Sequence, residues 1–455
     1  MKRFRLDVAT VLLALEAAGC GHDTGNLGLA RGNTDPLVFT DNFGAGIGYQ
    51  AFKGSKTNVL SVDNTQKHTG TSSLKVTVPG PSDPAGGYAG GAMTSQQPRD
   101  VADYNALTFW AKASKVATLN VAGVGNDNTG TSKYQSSTTY IPLTTEWKKY
   151  VIPIPLTGKM WGEKGMFYFA EGAEGGTGYT LWFDDIMFET LATITNPRPG
   201  MRTRTAGVFI GLQYVVPGTR TTFSVSGTNQ VVEHSPAYFT FVSSDGSVAR
   251  PEESYVQVVG TGTTILTASL GVVPAIGSVT LTSTNPPPGA APTPTLPAGN
   301  VISLFSNAYP GVPVDTWSAE WPDDADVTDF KVAGNDTKVY TNLVFAGIEF
   351  ISHQINATAM THFHVDVWME SGTNFKIKLV DFGADGVYGG SGSDDREQQL
   401  TFSAVSNPPL TVGQWSSLDI PLADFTGLTT RAHLAQVIIE GDPGTVFLDN
   451  PYFHK

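Results

Sequence analysis

The chain has 455 residues, of which 50 are glycine and 28 are proline, whereas only 15% carry a charge. This composition excludes a helical bundle or coiled coil, and the 40% of hydrophobic residues exclude wholesale disorder. The net charge of −13, with no basic run, argues against nucleic-acid binding. The single cysteine excludes an intrachain disulfide and a cysteine-based zinc site. We therefore expect about three domains, built mainly from β-strands.

The N-terminus has the features of an export signal. A basic start precedes an apolar stretch that is too short to span a bilayer. Residues 17–20 read Ala-Ala-Gly-Cys and resemble the lipobox of bacterial lipoproteins. The resemblance implies a signal peptide at 1–19 and lipid on Cys20, which would hold the protein at the outer membrane on the cell surface. Residues 20–35 are rich in glycine and asparagine and predict a flexible tether. The alternative is an ordinary export signal with an unmodified cysteine.

Two segments divide the rest of the chain. A proline-rich stretch at 285–299 favours extended polyproline structure and is typical of a semi-rigid linker. A weaker boundary, rich in proline and glycine, lies near residue 195. The expected blocks are therefore 36–190, 191–284 and 300–455.

The first and third blocks resemble each other. Residues 106–112 match 364–370, which pairs Trp110 with Trp368, and residues 181–188 match 446–453, which pairs Asp184 with Asp449. Each matched segment alternates apolar and polar residues and is bounded by turn residues, so each predicts a strand. Many short strands with glycine-rich turns indicate an all-β fold in which each of the two blocks is a β-sandwich or jelly roll.

The middle block resembles the bacterial Ig-like repeat. The segments at 240–249, 259–269 and 274–282 carry that repeat's "SSD-x-S-V-A", "GxGT-x-I-T-A" and "GS-x-T-L-T" patterns. The resemblance implies an Ig-like β-sandwich that acts mainly as a spacer between the two jelly rolls.

We find none of the common catalytic motifs in the sequence. It contains no His-Glu-x-x-His, phosphate-binding loop or Gly-x-Ser-x-Gly elbow. A glycosidase needs two carboxylates, and a pair formed across strands stays open. His362 and His364 are two residues apart on a predicted strand and could bind a metal, although exposed single histidines are commoner. We therefore expect a protein that is not an enzyme.

Aromatic side chains are the main candidates for ligand binding, because flat rings suit the apolar faces of sugars. Trp110 and Trp368 fall on polar strand faces, where each is either part of an aromatic platform or a residue covered by a loop or by a second core layer. Other candidates lie in polar or glycine-rich loops: Trp317, Trp321, Trp161, Tyr49, Tyr88 and Tyr388. Trp147 and Trp415 begin matching strands and are expected to be structural.

Acidic residues on the terminal strands are candidates for a structural calcium site, since calcium prefers several carboxylate and carbonyl oxygens. Asp41 and Asp184 are expected to meet near the loop at 67–74, and Asp449 matches Asp184 in the third block. The alternative is surface charge.

A family resemblance extends these expectations. The first block, with the segments 39–43, 68–75, 107–112 and 183–186, looks like galactose-binding-like carbohydrate-binding modules. These are jelly rolls with a structural calcium, which the resemblance places near Asp41 and Asp184.

The third block is similar to a module appended to secreted bacterial β-glucanases of the laminarinase type, over nearly all of 300–455. The whole arrangement resembles surface glycan-binding lipoproteins of polysaccharide-utilisation systems. That resemblance implies a non-catalytic binder of β-glucan, such as laminarin-like β-1,3-glucan, that works with an outer-membrane glycan importer and surface glycanases. The alternatives are a structural or adhesive surface protein and a hydrolase with an unrecognised carboxylate pair.

Overall fold

The structure is a computed structural model that describes residues 32–319, 321, 325–390 and 394–455. The predicted signal peptide, the lipid-attachment residue Cys20 and the tether up to residue 31 lie outside the described residues. In the described part of the chain, helical structure is limited to four single 3-10 turns, at Thr157–Lys159, Pro236–Tyr238, Ala298–Asn300 and Ile351–His353. The all-β expectation is therefore confirmed.

Eleven strands cover the first block, where apolar residues alternate with polar ones or form short apolar runs. They are β1 (Leu37–Phe39), β2 (Ile47–Ala51), β3 (Leu60–Asp63), β4 (Ser73–Val78), β5 (Tyr88–Arg99), β6 (Ala106–Ala113), β7 (Ala117–Val124), β8 (Ser136–Leu143), β9 (Lys148–Pro153), β10 (Glu163–Gly172) and β11 (Tyr179–Glu189).

The middle block contains shorter strands with threonine-rich, alternating sequences. They are β12 (Ile194–Gly200), β13 (Arg204–Phe209), β14 (Gln213–Tyr214), β15 (Arg220–Val225), β16 (Thr228–His234), β17 (Thr240–Ser243), β18 (Ala249–Pro251), β19 (Val256–Val258), β20 (Gly262–Leu270), β21 (Val273–Pro274) and β22 (Val279–Thr284).

The third block ends on an unusually long strand. Its strands are β23 (Val301–Ser303), β24 (Asp326–Val332), β25 (Asn335–Glu349), β26 (His362–Trp368), β27 (Asn374–Asp381), β28 (Arg396–Ser403), β29 (Ser416–Pro421) and β30 (Leu434–His454).

The first block is a sandwich of two sheets. One sheet has the order β3-β4-β11-β6-β9, with β1 on β11, and the other runs β2-β5-β10-β7-β8. Phenylalanine rings from both sheets meet between them: Phe167 of β10 lies 5.4 Å from Phe109 and 5.3 Å from Phe183, measured between ring centroids. Burial of these rings removes a large apolar area from water and stabilises the sandwich.

The third block repeats this topology. Its strands follow the order β24-β25-β30-β26-β29, with β23 on β30, which is the path of β3-β4-β11-β6-β9 with β1 on β11. The long strands β25 and β30 continue past this sheet, and β30 also pairs with β27, which pairs with β28. The shared order supports the resemblance between the two blocks.

Strand register corrects one detail of the sequence alignment. Asp184 pairs with Trp110 in the first block, whereas Asp449 pairs with Asp366 in the third. The structural counterpart of Trp110 is therefore Asp366, and the predicted match of Trp110 with Trp368 is wrong by two residues. Sequence similarity missed this shift because both positions lie in alternating strands, where a slip of two residues preserves the pattern of faces.

The middle block shares a sheet with the first. Ser136 and Ser137 of β8 pair with His234 and Glu233 of β16, so β16, β15 and β12 extend the β2-β5-β10-β7-β8 sheet to eight strands. The remaining strands form a β13-β22-β20-β17 sheet, with β21 on β20, and a small β14-β19-β18 sheet.

Aromatic contacts join the middle block to the third. The ring of Phe209 on β13 lies 4.7 Å from Phe330 and 4.9 Å from Phe447 of the third block. The proline-rich segment also packs on the third block, because Trp415 Nε1 donates to the Gly289 carbonyl at 2.8 Å and Tyr309 donates to the Leu296 carbonyl at 2.9 Å. The segment is therefore held against the third block at these two points, which a linker composition does not predict.

Candidate functional site

The outer face of the eight-stranded sheet, opposite the core, carries the candidate site. On β10, Phe167 and Phe169 are fully buried in the core, so the side chain of Tyr168 between them points to the outer face. Tyr168 pairs with Ala92 of β5 and with Gly123 of β7. Directly opposite residues share a face, so these two positions lie beside Tyr168 on the outer side.

Small residues line this face. We call it the trough, with a floor of Gly90, Ala92, Gly123 and Ala170 and three aromatic rings, Phe52, Tyr88 and Tyr168. A Cβ on Gly123 would lie 2.5 Å from the Tyr168 ring, and a Cβ on Gly90 would lie 2.9 Å from the Tyr88 ring. Both rings thus occupy space that larger side chains would fill.

The aromatic rings of the trough differ in exposure. Tyr168 is only 9% exposed and forms part of the floor, whereas Phe52 and Tyr88 are half-buried and present part of their surface. Phe52 meets Tyr168 in an edge-to-face contact at 6.4 Å. The hydroxyl of Tyr88 donates to the Lys53 carbonyl at 2.8 Å, which fixes the ring over the floor.

Polar groups surround the floor. Gln50 of β2 is exposed beside Ala92, and the exposed Asn128 donates to the Ala51 carbonyl at 3.3 Å. Burial raises the pKa of Tyr168, and the negative charge of Glu233 raises it further. Aromatic surface beside uncharged amides and hydroxyls suits a ligand with apolar C–H faces and many hydroxyls.

Of the predicted tyrosines, Tyr88 lies in the trough and Tyr49 does not. Tyr49 stacks on the core residue Phe169 at 6.4 Å, and its hydroxyl donates to the Gly90 carbonyl at 3.0 Å. Burial raises its pKa to about 12. Tyr49 therefore lies outside the trough, because its position in β2 turns the ring toward the core, and its contact with a ligand stays a prediction.

Trp110 lies on the other sheet, where a second ring covers it. The imidazole of His68 stacks on Trp110 with 3.6 Å between centroids. Lys112 lies 5.9 Å from the Trp147 ring and 5.6 Å from the Trp182 ring, in cation–π contact with both. The side chains of this cluster contact one another, and the imidazole of His68 covers the Trp110 ring, so Trp110 does not offer the predicted free platform.

Trp368 is buried at the junction of the middle and third blocks. It is 5% exposed, and its ring meets Phe447 edge-on at 5.3 Å. Among the described residues, its Nε1 has no hydrogen-bond partner. The prediction of a sugar platform at Trp368 is corrected, because packing between blocks covers a strand face that looks polar in the sequence.

Trp321 and Trp317 occupy different surroundings in the third block. Trp321 lies over Gly347, whose Cβ would be 2.5 Å from the indole, and its ring is 6.0 Å from Phe345. Trp317 packs against Phe305 at 5.7 Å, and the Lys338 ammonium lies 4.6 Å from its ring. Trp321 therefore lies on the sheet surface, while Trp317 is held in a local cluster.

Trp161 and Tyr388 are the most exposed of the predicted aromatic residues. Trp161 is 70% exposed after the Thr157–Lys159 turn, and Tyr388 is 61% exposed, with its ring 5.5 Å from Phe382. Each lies in a loop of its own block, and whether either contacts a ligand stays a prediction.

The predicted calcium residues of the first block, Asp41 and Asp184, lie at one loop, but their carboxylates accept hydrogen bonds from its backbone N–H groups. Asp184 accepts hydrogen bonds from the His68 N–H at 2.7 Å, and Asp41 accepts them from the N–H groups of Thr71 and Ser72. These bonds lower the pKa of Asp41, whereas burial raises the pKa of Asp184. Because the loop offers N–H donors where a cation needs oxygen, the residues in this arrangement do not fit calcium.

Asp449 shows the same pattern in the third block. It accepts hydrogen bonds from the Asn335 amide and from the Asn450 N–H, and burial raises its pKa to about 7. His364 contacts Asp419 at 3.3 Å, and His362 stacks on His454 at 5.0 Å. Within the described ranges, no group of three or more His, Cys, Asp and Glu side chains could hold a metal ion.

Sequence reasoning missed two residues of the trough, Phe52 and Tyr168. The sequence pattern could have identified Tyr168. It lies between Phe167 and Phe169 on a strand, so its side chain is predicted to face away from the apolar side. Phe52 follows β2 in a turn, where periodicity gives no direction.

Comparison with known proteins supports a carbohydrate-binding protein. Residues 35–190 match the family described as Carbohydrate binding domain 30. This segment is the first block and includes the trough strands β2, β5, β10, β7 and β8. Among curated proteins, none matches the chain.

The solved structures that match parts of this chain include carbohydrate-binding modules. The family 30 module of the Clostridium thermocellum cellulosomal cellulase Cel9D-Cel44B is 20% identical, covering 35% of this chain and 95% of its own, with a TM-score of 0.24. The family 11 module of Lic26A-Cel5E from that organism is 14% identical, covering 35% and 96%, with a TM-score of 0.26. A β-1,2-glucanase from Parabacteroides distasonis is 13% identical, covering 55% and 39%, with a TM-score of 0.25. Values of this size identify neither a ligand nor an activity for this chain.

A search of the described residues for a helix long and apolar enough to cross a membrane found none.

Proposed function

We propose that this chain is a non-catalytic polysaccharide-binding protein that holds β-glucan in the trough of its first block, with laminarin-like β-1,3-glucan as the ligand. The observation that carries the proposal is the match of residues 35–190 to a carbohydrate-binding family, over the strands that form the trough. The third block's resemblance to modules of laminarinase-type enzymes supports the choice of β-1,3-glucan.

The chemistry of the trough supports a neutral glycan. Its floor consists of uncharged residues, and Phe52 and Tyr88 offer aromatic surface to the C–H faces of a sugar ring. Gln50 and Asn128 provide amide donors and acceptors that match hydroxyl groups. An anionic polysaccharide would gain little here, since the chain as a whole is acidic.

Trp321 supports a second glycan contact in the third block. The indole lies on the sheet surface over Gly347, and the neighbouring strands carry the pairs Lys376–Glu440 at 3.2 Å and Lys378–Glu397 at 3.3 Å. Two weak sites on one chain would raise the apparent affinity for a polymer that reaches both.

Anchoring through Cys20 completes the proposal. A lipid on this residue would place the glycan-binding blocks at the outer-membrane surface, where bound polysaccharide could pass to a glycan importer and surface glycanases. Growth with labelled palmitate tests the anchor: we expect label in the wild-type protein and none in Cys20→Ser. Label that persists in the variant, or is absent from the wild type, would contradict it.

Affinity electrophoresis of the full chain in gels containing laminarin tests the ligand. We expect strong retardation of the wild type, loss of retardation in Tyr88→Ala and Phe52→Ala, and no change in Tyr255→Ala, a matched tyrosine variant in the middle block. Retardation by no β-glucan at all would remove the proposed ligand. Release of reducing sugar by the purified protein would favour the hydrolase alternative, and a blank glycan array would favour the adhesive one.

A further inference from the structure

The outer face that carries the trough continues beyond the first block. One cross-strand row passes through all eight strands, each residue paired with the next: Gln50, Ala92, Tyr168, Gly123, Ser137, Glu233, Arg220 and Gly200. Directly paired residues project from the same side of a sheet. Glu233 and Arg220 of the middle block therefore lie on the same face as Tyr168.

Burial supports this assignment of faces. On β16, Val232 is buried while the next residue, Glu233, is exposed. On β15, Phe223 is buried between the half-buried Thr222 and Ser224, while Arg220 is exposed. The charge of Glu233 also raises the pKa of Tyr168, which agrees with their places on one face of the sheet.

The join between the blocks is held by more than the strand ladder. Gln230 donates to the Val151 carbonyl at 2.6 Å and to the Thr138 hydroxyl at 3.0 Å, and the Ser235 N–H donates to the Gln135 carbonyl at 2.9 Å. These bonds fix β16 and β15 relative to β8, so the added strands keep a defined position beside the trough.

We propose that β16, β15 and β12 extend the binding face, so that one long polysaccharide chain lies across the trough and then across Ser137, Glu233 and Arg220. This inference rests on the proposed function of the trough. It assigns the middle block a part in ligand binding that a spacer would not have, and it favours internal segments of a long chain over chain ends.

Dimensions and charge define the ligand further. Five strands span about 19 Å and eight strands about 34 Å at the usual strand separation, and a ligand crossing them must follow the sheet's twist of roughly 20–25° per strand. Glu233 and Arg220 add one charge of each sign, so the extended face suits a neutral polysaccharide. The guanidinium and the carboxylate offer several donors and acceptors to sugar hydroxyls.

Calorimetric titration of the full chain with a short and a long β-1,3-glucan oligosaccharide tests the extension. The short ligand should span the trough alone, about 19 Å, and the long one the whole face, about 34 Å. We expect the wild type to bind the long ligand more tightly. Arg220→Ala and Glu233→Gln should each weaken binding of the long ligand by about fivefold, the loss expected for one or two hydrogen bonds, and leave the short one unchanged.

Matched controls separate this contact from other causes. Arg250→Ala and Glu252→Gln change the same charges on or beside β18, which belongs to another sheet, and should leave both affinities unchanged. Equal effects of the test and control variants, or equal affinities of the wild type for both lengths, would overturn the extension while leaving the trough intact. Failure of the wild type to bind either length would contradict the proposed function and the extension together.

Discussion

The ring of Tyr168 occupies the space that a side chain on Gly123 would need, because a Cβ at that position would lie 2.5 Å from Cε1 of the ring and 2.5 Å from the Ser136 carbonyl oxygen. The two residues are cross-strand partners on β10 and β7. Because Gly123 has no side chain, the large ring of Tyr168 can lie close to the floor of the trough. The shape of the trough therefore depends on glycine at position 123.

Gly123→Ala should therefore both destabilise the fold and disturb the trough. Overpacking of this kind typically costs about 1–3 kcal/mol, and we expect a matching loss in the free energy of unfolding together with weaker glucan binding. Gly48→Ala is the control, since a Cβ there meets nothing within 4 Å. Denaturant unfolding and affinity electrophoresis provide the two measurements, and equal stability of the two variants would show that the ring can move aside.

Trp368 should prove to be a structural residue. Trp368→Ala should destabilise the protein by about 3–5 kcal/mol, as large-to-small changes of buried aromatic residues do. Trp368→Phe keeps most of the packing against Phe447 and should leave glucan binding unchanged. Binding by the folded Phe variant is the deciding measurement, because a large loss of affinity there would restore Trp368 to the ligand site.

The sequence was sufficient for the strand-rich fold and the repeated topology, because alternation and turn residues are local signals. It could not place Trp110 and Trp368, whose exposure depends on His68 and on Phe447 from distant segments. The sequence also could not predict that β16 pairs with β8, since hydrophobic periodicity does not show which distant strand is the partner. Asp41 and Asp184 lie at the loop that the sequence predicted. The N–H groups that face their carboxylates depend on the orientation of the backbone, which composition does not predict.

The free energy of unfolding should fall as the pH rises between the pKa values that the buried carboxyl group of Glu171 has in the unfolded and in the folded protein. Burial raises the pKa of Glu171 from 4.5 to about 7, so the folded state binds a proton that the unfolded state has already released between these values. Unfolding then becomes easier as the pH increases toward about 7. Glu171→Gln mimics the protonated form and should flatten part of this dependence, as measured by thermal unfolding across the pH range. A steeper profile in the variant would contradict the assignment.

Calcium should have little effect on the first block. Because the carboxylates of Asp41 and Asp184 accept hydrogen bonds from backbone N–H groups, addition of calcium or of a chelator should leave the midpoint of thermal unfolding unchanged. A clear rise with calcium, lost in Asp184→Asn, would show that the loop turns its carbonyl groups inward and that the family-based expectation holds.

The central claim is that the trough of the first block binds β-glucan, and calorimetric titration of the full chain with laminarin tests it most directly. The account predicts saturable binding by the wild type, a loss of most of that affinity in the Tyr88→Ala and Phe52→Ala variants, and undisturbed binding in Tyr255→Ala. Wild-type binding that survives both trough substitutions in folded protein would place the site elsewhere and contradict the claim.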